Sequence, residues 1–159
     1  MQHLPHRSRS ARNRGHAFVK RRSRFGEITG HDGVKYAASD ARFCWAEDLW
    51  NLIREFDCHL VIHSSWRNSY TLDQLRDLLP TELGKRVVGL TVGENRHQSI
   101  LAYVQKTQVK SYIILDDAAD EFPRECVELL LCENNMGISN PEIQNKLIQF
   151  LKEFCHHAT

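Results

Sequence analysis

Tyr112-Ile-Ile-Leu-Asp-Asp117 decides how the chain is read. An apolar, β-rich run closes on two adjacent carboxylates, with Asp120 and Glu121 shortly after. Such a run reads as a buried parallel strand that delivers acids to its carboxyl end. In open α/β sheets ligands sit at that edge. Two neighbouring carboxylates repel one another unless a proton or cation lies between them, and a hard cation such as Mg²⁺ suits oxygen ligands. The competing reading is a strand followed by an acidic turn or helix start, because Asp is frequent at caps.

The flanking segments alternate. Residues 45–56 carry Leu49, Trp50, Leu52, Ile53 and Phe56 at helical spacing. His59-Leu-Val-Ile-His63 reads as a buried strand ending in Ser64-Ser-Trp-Arg67. A helix over 72–79 stops at Pro80, and after a polar stretch residues 86–91 form a short strand. Gly93-Glu-Asn-Arg96 opens a helix to about residue 106, with Ile100, Leu101 and Val104 inward. Val127-Glu-Leu-Leu-Leu-Cys132 fits a strand or a helix equally. Asn140 caps a last helix with Pro141 at its first position and Ile143, Leu147, Ile148 and Leu151 on its core face. Strands alternating with helices predict a parallel α/β sheet.

The 159 residues suit one domain, and the apolar share of 42% and charged share of 26% are those of a globular protein. No apolar run approaches the roughly 20 residues that span a bilayer, so no membrane role is expected. The five cysteines are scattered without a Cys-x-x-Cys pair, which points to reduced thiols in a cytoplasm.

The net charge of +1 conceals a split. Residues 1–31 hold eight basic side chains against Glu27 alone, leaving thirteen basic and nineteen acidic in the remainder. The reading divides the chain into a basic, disordered segment, 1–26, and an α/β domain, 27–159. An arm for nucleic-acid phosphates ranks below an idle tail or the product of a wrong start or reading frame, because no aromatics interleave with the arginines.

Three features now fall in one order: a strand ending in Ser64-Ser65-Trp66-Arg67, a helix starting at Arg96, and a strand ending in Asp116-Asp117. In this the chain resembles the haloacid dehalogenase (HAD) superfamily of phosphotransferases, and most of all the small branch found as domains in Swiss Army Knife RNA-repair proteins. The resemblance implies a three-layer, Rossmann-like parallel sheet flanked by helices. It implies Mg²⁺-dependent phosphatase chemistry on a phosphorylated substrate, with nucleic-acid ends as the candidate class. On it, Ser64, with Ser65 as the alternative by one residue, is the hydroxyl that binds phosphoryl oxygens. Arg96 is the neutralising cation, Asp116, Asp117 and Glu121 are the metal-holding acids, and Trp66 and Arg67 shape the substrate approach. The physical logic is charge neutralisation around a transferring phosphoryl group.

One motif is missing. The family opens on Asp-x-Asp-Gly-Val after a short apolar run, whereas this chain offers Glu27-Ile-Thr-Gly-His-Asp-Gly-Val34. Aligned there, Asp32 takes the acid/base place and Gly30 stands where the nucleophile belongs. Residues 25–29 make a poor buried strand, so the first, central strand of the sheet is left in doubt. The expectation is a HAD-like phosphohydrolase domain impaired by loss of its nucleophile; the alternative is an inactive module that binds nucleic acid or a protein partner.

Overall fold

The structure, a computed structural model, describes residues 45–132 and 137–156 in full and the backbone of three strands at 15–19, 27–29 and 35–37. Five parallel strands form the main sheet in the order β5-β4-β1-β6-β7: β1 is Gly15–Val19, β4 Cys58–Ile62, β5 Val87–Leu90, β6 Tyr112–Asp116 and β7 Leu129–Leu131. Two short strands, β2 (Glu27–Thr29) and β3 (Lys35–Ala37), pair antiparallel in a sheet of their own.

The central strand is therefore not where the sequence reading looked for it. Glu27–Thr29 belongs to the separate hairpin. The slot between β4 and β6 is filled by Gly15-His-Ala-Phe-Val19, from within the segment set apart as a basic tail. The division at residue 26 is corrected to that extent, since β1 is part of the domain's sheet; residues 1–14 and 20–26 lie outside the described residues. The register explains why a strand is needed there. Val19 pairs with Ile62 on one side and Leu115 on the other, so β1 satisfies main-chain groups of both neighbours that would otherwise be buried unpaired.

Among the described residues five helices join the strands: α1 (Ala46–Ile53), α2 (Leu72–Leu78), α3 (Thr81–Gly84), α4 (Arg96–Thr107) and α5 (Pro141–Phe154). Their ends follow local chemistry. Thr71 and Gln74 make a reciprocal capping box on α2, with Gln74 N–H donating to Thr71 Oγ1 at 3.2 Å and Thr71 N–H to Gln74 Oε1 at 2.9 Å. Asn95 caps α4 by accepting from Gln98 N–H at 2.9 Å, and Asn140 caps α5 by accepting from Glu142 N–H at 2.8 Å. The short α3 falls in the stretch read as merely polar. Val127–Cys132 resolves as a strand over Leu129–Leu131, with Val127 exposed. On α4 Ser99 and Ile100 are buried and Val104 packs partly buried beside Ile100, whereas Leu101, expected inward, is exposed.

Two apolar clusters lie on alternate positions of the strands. Cys58, Leu60 and Ile62 of β4, with Ile113 and Leu115 of β6, pack with Leu49, Ile53, Leu75, Leu83, Leu147 and Leu151 from α1, α2, α3 and α5. Val61 and Ile114 pack with Ile100 of α4 and Phe122. Successive strand residues point to opposite faces, so the alternating apolar side chains go into the two clusters and side chains of function are left to the strand ends. Among the described residues no helix is long and apolar enough to cross a membrane.

Candidate functional site

All strands of the main sheet run parallel, so their carboxyl ends share one edge. Leu90, Ile62, Val19 and Leu115 stand level across it. The residues that follow them therefore emerge side by side: Thr91 after β5, His63 and Ser64 after β4, and Asp116 with Asp117 at the end of β6.

Asp116 is the hub. Its side chain is fully buried. Arg96, the first residue of α4, donates from Nη1 to Asp116 Oδ1 at 3.2 Å. The Ala118 N–H donates to the same oxygen at 2.9 Å. On the other side His63 Nδ1 stands 3.7 Å from Asp116 Oδ2, and its ring is fully buried too. β4 and β6 are separated by β1, about 9–10 Å apart at two strand spacings, so these side chains meet by reaching across that gap. A carboxylate out of water is tolerated because a guanidinium and a main-chain donor compensate it.

Ser64 is buried and sits at the N-cap of a 3₁₀ turn, Ser65–Asn68, yet its hydroxyl makes no capping hydrogen bond. The capping role that would explain it structurally is thus not taken up. Ser65 is exposed. Trp66 is half-buried against the core and stacks on Tyr70 with centroids 5.3 Å apart. Arg67 donates from Nη1 to the His63 carbonyl and from Nη2 to the Gly93 carbonyl. Partial burial, together with the nearby positive charge of Arg96, holds its pKa below the usual guanidinium range. Asp117 is half-buried, and Glu121 is exposed at the end of a 3₁₀ turn, Ala119–Glu121.

The edge thus collects Ser64, Arg67, Arg96, Asp116 and Asp117, while Asp32 lies outside the described residues. Its expected neighbour strand, Glu27–Thr29, is in the hairpin and not in the main sheet. His63 and Thr91 belong to the same edge and were not singled out from sequence. His63 could have been found, because it is the residue at which the β4 run meets Ser64. Thr91 Oγ1 is buried without a hydrogen-bond partner, a fact with no local sequence signal.

A family model described as the HAD domain in Swiss Army Knife RNA repair proteins matches residues 6–143. The chain belongs to this family of HAD domains. No curated protein and no solved structure matches it. The match begins ahead of β1 and spans every element from β1 to the start of α5, consistent with β1 being integral to the HAD domain. HAD domains generally use Mg²⁺. Here Asp116 Oδ1 is already committed to Arg96 and the Ala118 N–H, and among the described residues no three His, Cys, Asp or Glu side chains converge to hold a metal. Those residues alone do not make a Mg²⁺ site.

Proposed function

We propose that this three-layer HAD domain descends from Mg²⁺-dependent phosphohydrolases acting on nucleic-acid ends, and that this chain binds a terminal phosphate without efficient turnover. What supports the reading most is the composition of the central strand. Gly15–Val19 carries no carboxylate and runs on in sequence to Lys20-Arg21-Arg22, with no acid before Glu27. The family's route attacks phosphorus with an Asp after this strand. A chain lacking that residue loses covalent catalysis.

The phosphate-binding half persists. Arg96 is held at the sheet edge by Asp116, where it can neutralise a phosphoryl dianion. The Ser64 hydroxyl, not engaged as a cap, can donate to a phosphoryl oxygen. Asp116 and Asp117 stand at the same edge, but the described residues do not complete a Mg²⁺ site. The thiols Cys58, Cys126 and Cys132 are free, which suits a reducing compartment such as the cytoplasm. The second reading, an inactive module for a protein partner, lacks a comparable supporting contact.

The test is calorimetric titration of the chain with a 5′- or 3′-phosphorylated oligonucleotide and with its dephosphorylated twin, alongside an aryl phosphate assay with Mg²⁺. Preference for the phosphorylated end, lost in Arg96→Ala, with turnover near background, is the expected result. Equal binding of both oligonucleotides overturns the phosphate reading. Clear turnover abolished by Asp117→Asn overturns the assignment of a missing nucleophile.

A further inference from the structure

Arg67 was expected to approach substrate, yet its two terminal nitrogens are both engaged with main chain. Nη1 donates to the carbonyl of His63, four residues back on the turn leaving β4, and Nη2 to the carbonyl of Gly93, across the sheet edge in the loop between β5 and α4. A guanidinium is a planar fork with fixed donor geometry, suited to holding two acceptors at a set separation.

The loop it grips is the one that launches Arg96. Thr91 N–H donates to the Ile62 carbonyl at 3.1 Å and ties the loop's start to β4. Gly93 has φ +127°, and a Cβ there would stand 2.7 Å from Ser99 Oγ, so glycine is required. Ser99 Oγ donates to the Asn95 carbonyl at 2.6 Å, and Asn95 caps the helix. The next residue is Arg96, whose guanidinium reaches Asp116. Gly93 itself has no side chain with which to anchor its peptide, so the grip on its carbonyl comes from Arg67.

We propose that Arg67 is a positioning residue: it clamps the turn after β4 to the β5–α4 loop, and so sets where Arg96 stands at the head of α4. The clamp stands on hydrogen bonds alone. Only its consequence, the placing of Arg96 for a phosphate, rests on the function proposed above. The effect of Arg96 on the pKa of Arg67 fits this layout, since the two guanidiniums feel one another while Asp116 supplies the carboxylate that ties down Arg96. An incoming phosphate would relieve that repulsion.

The experiment pairs amide hydrogen exchange over residues 91–99 with titration of inorganic phosphate, on wild type, Arg67→Ala, Arg67→Lys and Arg96→Ala. Loss of two charge-assisted bonds should speed exchange in that segment roughly ten- to a hundred-fold in Arg67→Ala, and phosphate affinity should fall with it. Arg67→Lys, which keeps the charge but not the fork, should lie between. Arg96→Ala should lose phosphate binding, with exchange at 91–93 no faster than its lower global stability accounts for. Phosphate affinity lost in Arg67→Ala with exchange unmoved would make Arg67 a direct ligand and overturn the clamp. So would wild-type exchange and affinity in Arg67→Lys, the comparison that decides the matter if the alanine variant does not fold. Faster exchange in Arg67→Ala, in a protein whose wild type binds no phosphate, would uphold the clamp and refute the phosphate reading instead.

Discussion

Removing Arg96 should harm the fold more than removing the aspartate it binds. In Arg96→Ala the Asp116 carboxylate keeps the Ala118 N–H at 2.9 Å but loses the guanidinium on Oδ1, in a place where its side chain has no solvent exposure. At 3.2 Å the gross attraction is about 5 kcal/mol for an effective dielectric of about 20. Stranding a buried charge by deleting its partner typically costs about 3–5 kcal/mol. In Asp116→Asn the situation differs. Asn is nearly isosteric and its Oδ1 can still accept from Ala118, while the Arg96 side chain, one-fifth exposed, can turn toward water. That variant should lose about 1–3 kcal/mol, the cost of a hydrogen bond to a charged group. The double variant should sit close to Asp116→Asn, because no charge is then left stranded. Urea unfolding followed by the fluorescence of Trp45, Trp50 and Trp66 gives all four corners of the cycle. At about 2–4 °C per kcal/mol for a chain this size, Arg96→Ala should melt roughly 6–20 °C below wild type. Additive effects, or an Asp116→Asn loss as large as that of Arg96→Ala, would show that Asp116 is not held as a charge by Arg96.

Deleting residues 1–26 removes β1 and should abolish cooperative unfolding, whereas deleting 1–14 spares the strand; circular dichroism melts separate the two, and an unchanged melt for the longer deletion would deny β1 its place. Substituting Lys20→Asp and Arg22→Asp together supplies Asp-x-Asp directly after β1 and should raise aryl phosphatase activity with Mg²⁺, while Gly30→Asp, behind the hairpin strand β2, should leave it at background. Mg²⁺ should shift the melting temperatures of wild type and Asp117→Asn equally little, because Asp116 Oδ1 is already engaged by Arg96 and the Ala118 N–H; a shift in wild type alone would restore the metal assignment. Burial pushes the Cys58 thiol up to about 12 from 9.0. Between those values the unfolded chain has released the proton while the folded one keeps it, so this contribution is complete below pH 9 and lost as pH rises toward 12; the fall in urea midpoint over that window should be shallower in Cys58→Ala.

The alternation of strands and helices was legible in the sequence because each rests on local physics. His59–Ile62 and Tyr112–Leu115 are apolar runs bounded by polar residues, and Asn95, Thr71 and Asn140 mark helix starts with side chains that satisfy nearby N–H groups. The ends of those strands then pointed to Ser64, Arg96 and Asp116, and the structure brings these to one edge. The central strand was not legible. A slot between β4 and β6 is filled through main-chain donors and acceptors, which every residue but proline possesses in full. Gly15-His-Ala-Phe-Val19, amid arginines and serines, carries too little apolar surface to announce itself, and only the two neighbours waiting on either side select it. The same holds within the site. His63 meets Asp116 across two strand spacings, and Arg67 joins carbonyls on two different loops. Such contacts depend on how far apart the strand ends stand once the sheet is assembled, a distance fixed by tertiary packing and carried by no local pattern.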